Sequence, residues 1–168
     1  MRIEKITLTD VPELTDLINS AYKGGDSEKG WTSESHLIEG TRVNEQMIIK
    51  YLDNKDVTIL KLTDDTNKII GSVYLETKGS SKLYLGMLSV SPFVQNKGVG
   101  RILLEEAENF SKQHHCNAIT ISVISVRTEL ISWYERRGYI RSGKLLPFPT
   151  NVGNPKKPLE LIEMEKAI

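Results

Sequence analysis

At 168 residues the chain suits one domain, which at this size buries roughly 70% of its unfolded surface and needs no metal or disulfide staple to hold a core. Its 22 lysines and arginines balance 22 aspartates and glutamates, so no global field draws it to nucleic acid or to an anionic membrane surface, and neither partner is expected. The longest uncharged runs, 83–96 and 113–126, are too short and too polar to span a bilayer, and the lone cysteine, Cys116, can neither close an internal disulfide nor complete a zinc set; a soluble, untargeted, cytoplasmic protein without metal is expected.

Residues 2–8 read as a short strand. Thr9-Asp10 followed by Pro12-Glu13 then reads as a helix start, carrying the apolar stripe Leu14, Leu17, Ile18 and Ala21. Three glycines among charged residues in 23–30 end that helix, and a second helical pattern begins at Asn44 and runs through Met47, Ile48, Tyr51 and Leu52. Between the two lies the loop Trp31-Thr32-Ser33-Glu34-Ser35-His36.

The β-branched stretches 57–62 and 69–76 flank Asp64-Asp65-Thr66-Asn67, a good hairpin turn. The nearly continuous apolar run 83–90 has the composition of a central strand covered on both faces. From Val99 the period changes: Val99, Ile102, Leu103, Ala107 and Phe110 share one helical face, while Glu105, Glu106 and Glu108 lie largely opposite. Ile119, Ile121 and Val123 then alternate with polar residues as a strand, and a strand-helix-strand crossover of this length makes the 83–90 and 119–123 strands parallel. The expected sheet is therefore mixed and mostly antiparallel. A last helix over 128–137 stops at Gly138, with a short strand at Tyr139-Ile140-Arg141 and a final one over 159–165. Four of the six prolines fall between Pro147 and Pro158, which excludes a central strand there and predicts a surface loop. His114 and His115 are adjacent, point in different directions on a helix, and read as a solvated helix end.

The sharpest local feature is Gln95-Asn96-Lys97-Gly98-Val99-Gly100-Arg101, between a buried strand and an amphipathic helix. Its glycines let backbone approach a ligand closely, and unpaired amides at a helix N-terminus suit phosphate oxygens. A nucleotide-triphosphate loop would require Gly-Lys followed by Ser or Thr, which is absent. A dinucleotide loop would require a third glycine where Leu103 stands.

The loop resembles the Gln/Arg-x-x-Gly-x-Gly/Ala signature of the GNAT acetyltransferases, and it follows Met87-Leu88-Ser89-Val90 and Ser91-Pro92 as that signature follows its strand. Trp133-Tyr134-Glu135-Arg136-Arg137-Gly138-Tyr139 is similar to the family's second landmark, a helix carrying tyrosine just before a glycine-aromatic stop. The order of elements extends the resemblance over essentially the whole chain. It implies an α/β (α+β) fold, one N-acetyltransferase domain over 1–168, in which a mostly antiparallel sheet flanked by helices has a parallel strand pair at the cofactor site.

The resemblance also implies a chemistry. Acetyl-CoA would be the co-substrate, its pyrophosphate held by amides of Gln95, Asn96, Lys97, Gly98, Val99, Gly100 and Arg101. Its pantetheine arm and acetyl carbonyl would meet backbone groups of Leu88, Ser89 and Val90. An amine would attack the thioester directly, so Cys116 is not required as a nucleophile. Tyr134 would donate to the departing thiolate; as a core tyrosine it would only pack its ring beside Trp133 and Tyr139. Many relatives carry asparagine where this chain has Arg127, which either pairs with a phosphate or is a solvated residue ahead of the helix.

The acceptor amine must lose a proton, for which Glu34, His36 and Glu76 are the candidate bases. The resemblance places Trp31 and Glu34, with Arg42 nearby, over the acceptor site; the alternative is a solvated loop with Trp31 plugging the core. The expected function is acetyl transfer to a small primary amine, with a protein or peptide acceptor, or a non-catalytic acyl-CoA-binding module, as the other readings. A homodimer stays open.

Overall fold

The computed structural model describes residues 1–23, 37–79, 81–94, 96–150 and 153–168. In chain order the elements are β1 (Arg2–Lys5), α1 (Val11–Lys23), β2 (Ile38–Glu39), α2 (Glu45–Leu52), β3 (Val57–Thr63), β4 (Ile69–Lys78) and β5 (Lys82–Val90). They continue with α3 (Val99–Gln113), β6 (Ala118–Ile124), α4 (Thr128–Glu135), β7 (Ile140–Pro147), β8 (Asn154–Pro155) and β9 (Glu160–Ala167). Seven of the strands form one sheet in the order β1-β3-β4-β5-β6-β9-β7, and β2 pairs with β8 apart from it. Every neighbouring pair is antiparallel except β5 with β6. The mixed α/β architecture expected from the sequence is the one observed.

Alternate side chains along the central strands enter two separate cores, because successive residues of a strand point to opposite faces. Ile59, Ile69, Tyr74 and Met87 pack with Leu14, Ile18 and Ile48 of α1 and α2. Leu60, Ile70, Val73 and Leu88 pack with Leu103, Ala107 and Phe110 of α3 and with Tyr134 of α4. Covering on both faces explains the unbroken apolar run of β5. Leu14, Ile18, Ile48 and Leu103 are wholly buried, each contributing about 1.5–3 kcal/mol by transfer out of water.

Local chemistry sets several boundaries. The Asn44 side chain accepts from Met47 N–H at 2.9 Å and caps α2. The hairpin between β3 and β4 closes on Asp64, whose Oδ1 accepts from Thr66 N–H, the Thr66 hydroxyl and Lys68 N–H, while Asn67 takes φ 64°. Gly138 (φ 90°) turns the chain out of α4.

Three expectations are corrected. The first strand ends at Lys5, not Leu8, because Leu8–Asp10 form a single 3-10 turn in which the Asp10 carboxylate accepts from Thr7 N–H at 2.8 Å. The strand after Gly138 begins at Ile140 and runs to Pro147; it lies at the sheet edge, where a terminal proline leaves no ladder donor missing. The proline-rich segment is not wholly loop, since Asn154 and Pro155 pair with Glu39 and Ile38. The helix end at His114 and His115 is exposed as expected, and the His114 ring stacks on Phe110 with centroids 3.8 Å apart.

Candidate functional site

The site originates in a defect of β5. Ser72 pairs with Ser89 and Tyr74 with Gly86, so Val73 faces both Met87 and Leu88, a β-bulge in which Met87 takes φ 45°. A non-glycine residue in the left-handed region is strained, and a bulge bends its strand and increases local twist. The parallel ladder to β6 stops accordingly: it joins Lys82, Leu83 and Tyr84 to Ala118, Ile119 and Thr120 and goes no further. β6 instead continues against β9 as far as Ile124 with Leu161. Beyond Tyr84 the two parallel strands splay apart.

A cleft opens in the splay, lined by Leu85, Leu88, Ile121, Val123, Leu130 and Tyr134. Tyr22, on α1, reaches into it and donates its hydroxyl to Leu88 O at 2.8 Å. Tyr134 is 6% exposed. Burial pushes its phenol well above its ordinary pKa, with Tyr22, Tyr139 and Tyr84 adding to the effect and the Arg127 guanidinium opposing it.

A second cavity follows the N-terminus of α3, lined by Asn96, Gly98, Val99, Gly100 and Arg101 on one side and by Trp133, Arg136 and Arg137 on the other. Gly98 is the N-cap, in the left-handed conformation at φ 76°, and no side chain caps the helix. The first-turn amides are thereby left to a ligand, in the direction that the helix dipole favours for anions. Arg137 lies 3.7 Å over the Trp133 ring and donates to Trp133 O at 2.8 Å, yet among the described residues its buried Nε has no hydrogen-bond partner. An unsatisfied buried guanidinium nitrogen beside unfilled helix amides fits a phosphate-bearing ligand.

A third pocket lies across β5, formed by Arg42, Tyr51, Tyr74, Glu76, Tyr84 and Met87. Arg42, Tyr84, Gly86, Met87 and Pro149 line both this pocket and the splayed cleft, so the two communicate. Glu76 Oε2 accepts from the Tyr74 hydroxyl at 2.9 Å and Oε1 from Lys78 Nζ at 2.9 Å. Burial, then the Glu76 contact, raises the Tyr74 phenol.

The sequence-derived residues are thus distributed over three cavities, of which the cleft shares Leu130 with the second and five residues with the third. Leu88 and Tyr134 line the cleft, Val90, Asn96, Gly98, Val99, Gly100 and Arg101 the second cavity, and Glu76 the third. Ser89 is wholly buried with its hydroxyl turned to Met87 O at 3.0 Å, and it lines none of the three. Lys97 is exposed and lines none either. Gln95, Trp31, Glu34 and His36 lie outside the described residues. Arg127 is not the solvated residue of one reading: it is 3% exposed and its Nε donates to Glu129 Oε1 at 2.6 Å. Cys116 is buried with a thiol pKa raised by burial, a packing cysteine rather than an activated one. Among the described residues no three His, Cys, Asp or Glu side chains converge as a metal site, and no helix is long and apolar enough to cross a membrane.

Sequence reasoning did not single out Tyr22, Tyr51, Tyr84, Arg136 or Arg137. The only signal was their residue type, since their convergence depends on crossings of α1, α2 and α4 with the sheet.

An interrupted parallel strand pair leading to an uncapped, arginine-flanked helix N-terminus defines a protein built to hold an extended, phosphate-bearing acyl carrier. A family profile described as the acetyltransferase (GNAT) family matches residues 12–139, and the chain belongs to that family, whose acyl donor is acetyl-CoA. YdhI of Bacillus subtilis (strain 168), an uncharacterised protein, is 28% identical over 76 residues, 45% of this chain and 46% of that protein. The chain spans about half the length of the curated relatives it matches. The crystal structure of the ribosomal-protein-S18-alanine N-acetyltransferase from Escherichia coli superposes with a TM-score of 0.73 at 17% identity, covering 99% of this chain and 93% of that one. A spermidine N-acetyltransferase SpeG chimera from Vibrio cholerae and hSSAT gives 0.70 at 16% identity, with 99% and 96% covered. At such identities the likeness is one of fold, and acceptors as unlike as a ribosomal protein and a polyamine share it.

Proposed function

We propose that residues 1–168 form one N-acetyltransferase domain that moves the acetyl group of acetyl-CoA to a primary amine of a small molecule by direct attack. The observation that carries this reading is the succession of three cavities that share lining residues, from uncapped helix amides past Leu130 to the splay beside Tyr134 and on to a pocket holding Glu76. Acetyl-CoA supplies an acyl group activated as a thioester.

First-turn amides of α3, with Arg101, Arg136 and Arg137, hold the phosphates; the β5 bulge aligns the extended arm. Glu76 receives the proton that the amine must lose, directly or through water. As the C–N bond forms and the C–S bond breaks, the sulfur leaves with the electron pair and Tyr134 hydrogen-bonds to it. A thiol titrates near ~8.5 and an unperturbed phenol near ~10, and burial raises Tyr134 further. Full proton transfer is therefore uphill, and Tyr134 acts as a hydrogen-bond donor that stays protonated. Arg127, buried and electrostatically coupled to Tyr134, moderates that shift.

The test measures thiol release from acetyl-CoA against amines, amino acids and peptides for the native protein and for Glu76→Gln. Turnover on a small amine, lowered about 10²-fold or more in kcat by the substitution, is expected of a general base. Turnover confined to peptides would move the acceptor class to proteins. Donor binding with no release on any acceptor would leave an acyl-CoA-binding module.

A further inference from the structure

Arg42 is held in place without its side chain. Its N–H donates to Asn19 Oδ1 at 2.9 Å, and its neighbour Val43 donates to the same oxygen at 3.0 Å while accepting from Asn19 Nδ2 at 2.9 Å. That clamp ties the chain ahead of α2 to α1 and aims Arg42 over β5. The half-buried guanidinium sits 5.8 Å from the centre of the Tyr22 ring, and among the described residues no carboxylate lies within ion-pair distance of it. Glu76, among the described residues the only acidic side chain lining the same pocket, is already engaged by Lys78 and Tyr74. Among the described residues the charge of Glu76 is thus matched locally and that of Arg42 is not, and these residues together leave the pocket net positive.

Arg42 also stands at the junction where the acceptor pocket meets the splayed cleft. A guanidinium presents a planar fork of donors suited to bidentate contact with a carboxylate. A carboxylate bound at that junction places the group next to it in the acceptor against the cleft where the thioester lies, and directs the remainder of the molecule away into the pocket. There Tyr51, Tyr74 and Tyr84 form an edge-to-face wall, with centroids 5.1 Å and 6.3 Å apart, and about 510 Å³ is open, mouth included. Aromatic faces of this kind favour apolar or aromatic bodies.

Resting on the acetyltransferase reading above, we infer that the acceptor is a free α-amino acid with an apolar or aromatic side chain, its carboxylate held by Arg42 and its side chain packed on the tyrosine wall. Arg42 is then the residue that determines specificity against polyamines, which the unmatched positive charge repels, and against amides, which cannot offer a charged bidentate acceptor.

The experiment compares L-phenylalanine, L-phenylalaninamide and spermidine as acceptors, by thiol release and, with CoA present, by calorimetric binding. The expected result is a KM and a Kd for the amino acid about tenfold or more below those of the amide, the scale of one lost charge-assisted contact, and no measurable use of spermidine. Arg42→Gln should collapse the acid-to-amide ratio toward one, and Arg42→Lys should restore part of it. Binding discrimination without turnover would sink the enzyme reading and leave the Arg42 assignment standing. Equal binding of acid and amide, preference for spermidine, an undiminished ratio in Arg42→Gln, or no binding of the amino acid at all would overturn the assignment.

Discussion

The Tyr22 hydroxyl donates to Leu88 O at 2.8 Å, tying the last turn of α1 to the one stretch of β5 that has lost its ladder. Leu88 has a register partner in neither β4 nor β6, and its carbonyl accepts from a side chain. Replacing Tyr22 with Phe removes that donor and keeps the ring. A net loss of about 0.5–1.5 kcal/mol is expected, seen in thermal unfolding as a fall of roughly 2–4 °C in Tm per kcal/mol for a chain of this size. An unchanged Tm would show that the bulge holds its shape without Tyr22.

Tyr134→Phe should lower kcat by about 10² or less, since only a hydrogen bond to the departing sulfur is removed, with little change in the KM for acetyl-CoA. Because burial holds the phenol well above its ordinary pKa, the native rate should show no alkaline fall attributable to Tyr134 below pH ~10. Steady-state rates across pH for the two proteins check both points. A fall near pH 8 to 9 that the substitution abolishes would contradict the assigned environment.

Gly71 on β4 lets the start of α3 sit close against the sheet: a Cβ there would lie 2.7 Å from Val99 Cγ1 and 3.0 Å from Leu103 Cδ1. Gly71→Ala should destabilise by about 1–3 kcal/mol, the usual cost of overpacking, and should also weaken acetyl-CoA binding because Val99 opens the helix that holds the loop. Denaturant unfolding and calorimetric titration with CoA measure the two effects. Loss of stability with intact affinity would mean the strain is absorbed away from the loop.

Arg137→Met keeps an unbranched aliphatic side chain but removes the guanidinium that lies over Trp133, and with it the unsatisfied Nε and the charge facing the second cavity. CoA affinity should drop about tenfold, the scale of one charged contact, with a smaller drop for dephosphorylated pantetheine. Equal losses for the two ligands would place Arg137 away from the phosphates.

Buried phenols set the alkaline limit. Tyr134, Tyr139 and Tyr74 all have pKa values raised primarily by burial, so the folded state binds their protons more tightly than the unfolded chain. Their contribution is fully present below pH ~10 and falls as pH rises toward the folded values, by at most about 1.4 kcal/mol per pH unit for each group. Denaturant midpoints measured from pH 8 to 11 should decline above pH ~10, and Tyr139→Phe should flatten the decline. Its hydroxyl has no hydrogen-bond partner among the described residues, so this substitution should cost little at neutral pH.

The elements themselves were legible in the sequence because their causes are local. β-branched stretches about a hairpin turn marked β3 and β4, alternation marked β6, the 3.6-residue stripes marked α1 and α3, Asn44 announced α2, and Gly138 marked a helix end. The parallel pairing of β5 with β6 followed from the length of the crossover. The loop at 95–101 could be put forward from sequence because amides at a helix N-terminus act through backbone, which needs only glycine and position. What the tertiary structure alone decided was the sheet order, in which β9 enters between β6 and β7, and the bulge at Met87, which depends on pairing with β4 rather than on Met87 itself. It likewise decided the meeting of Tyr22, Arg42, Tyr51, Tyr74 and Tyr84 around β5. Those side chains come from α1, α2, the segment between them and two strands. Their convergence depends on how helices cross a twisted sheet, a packing relationship that periodicity along one chain does not encode.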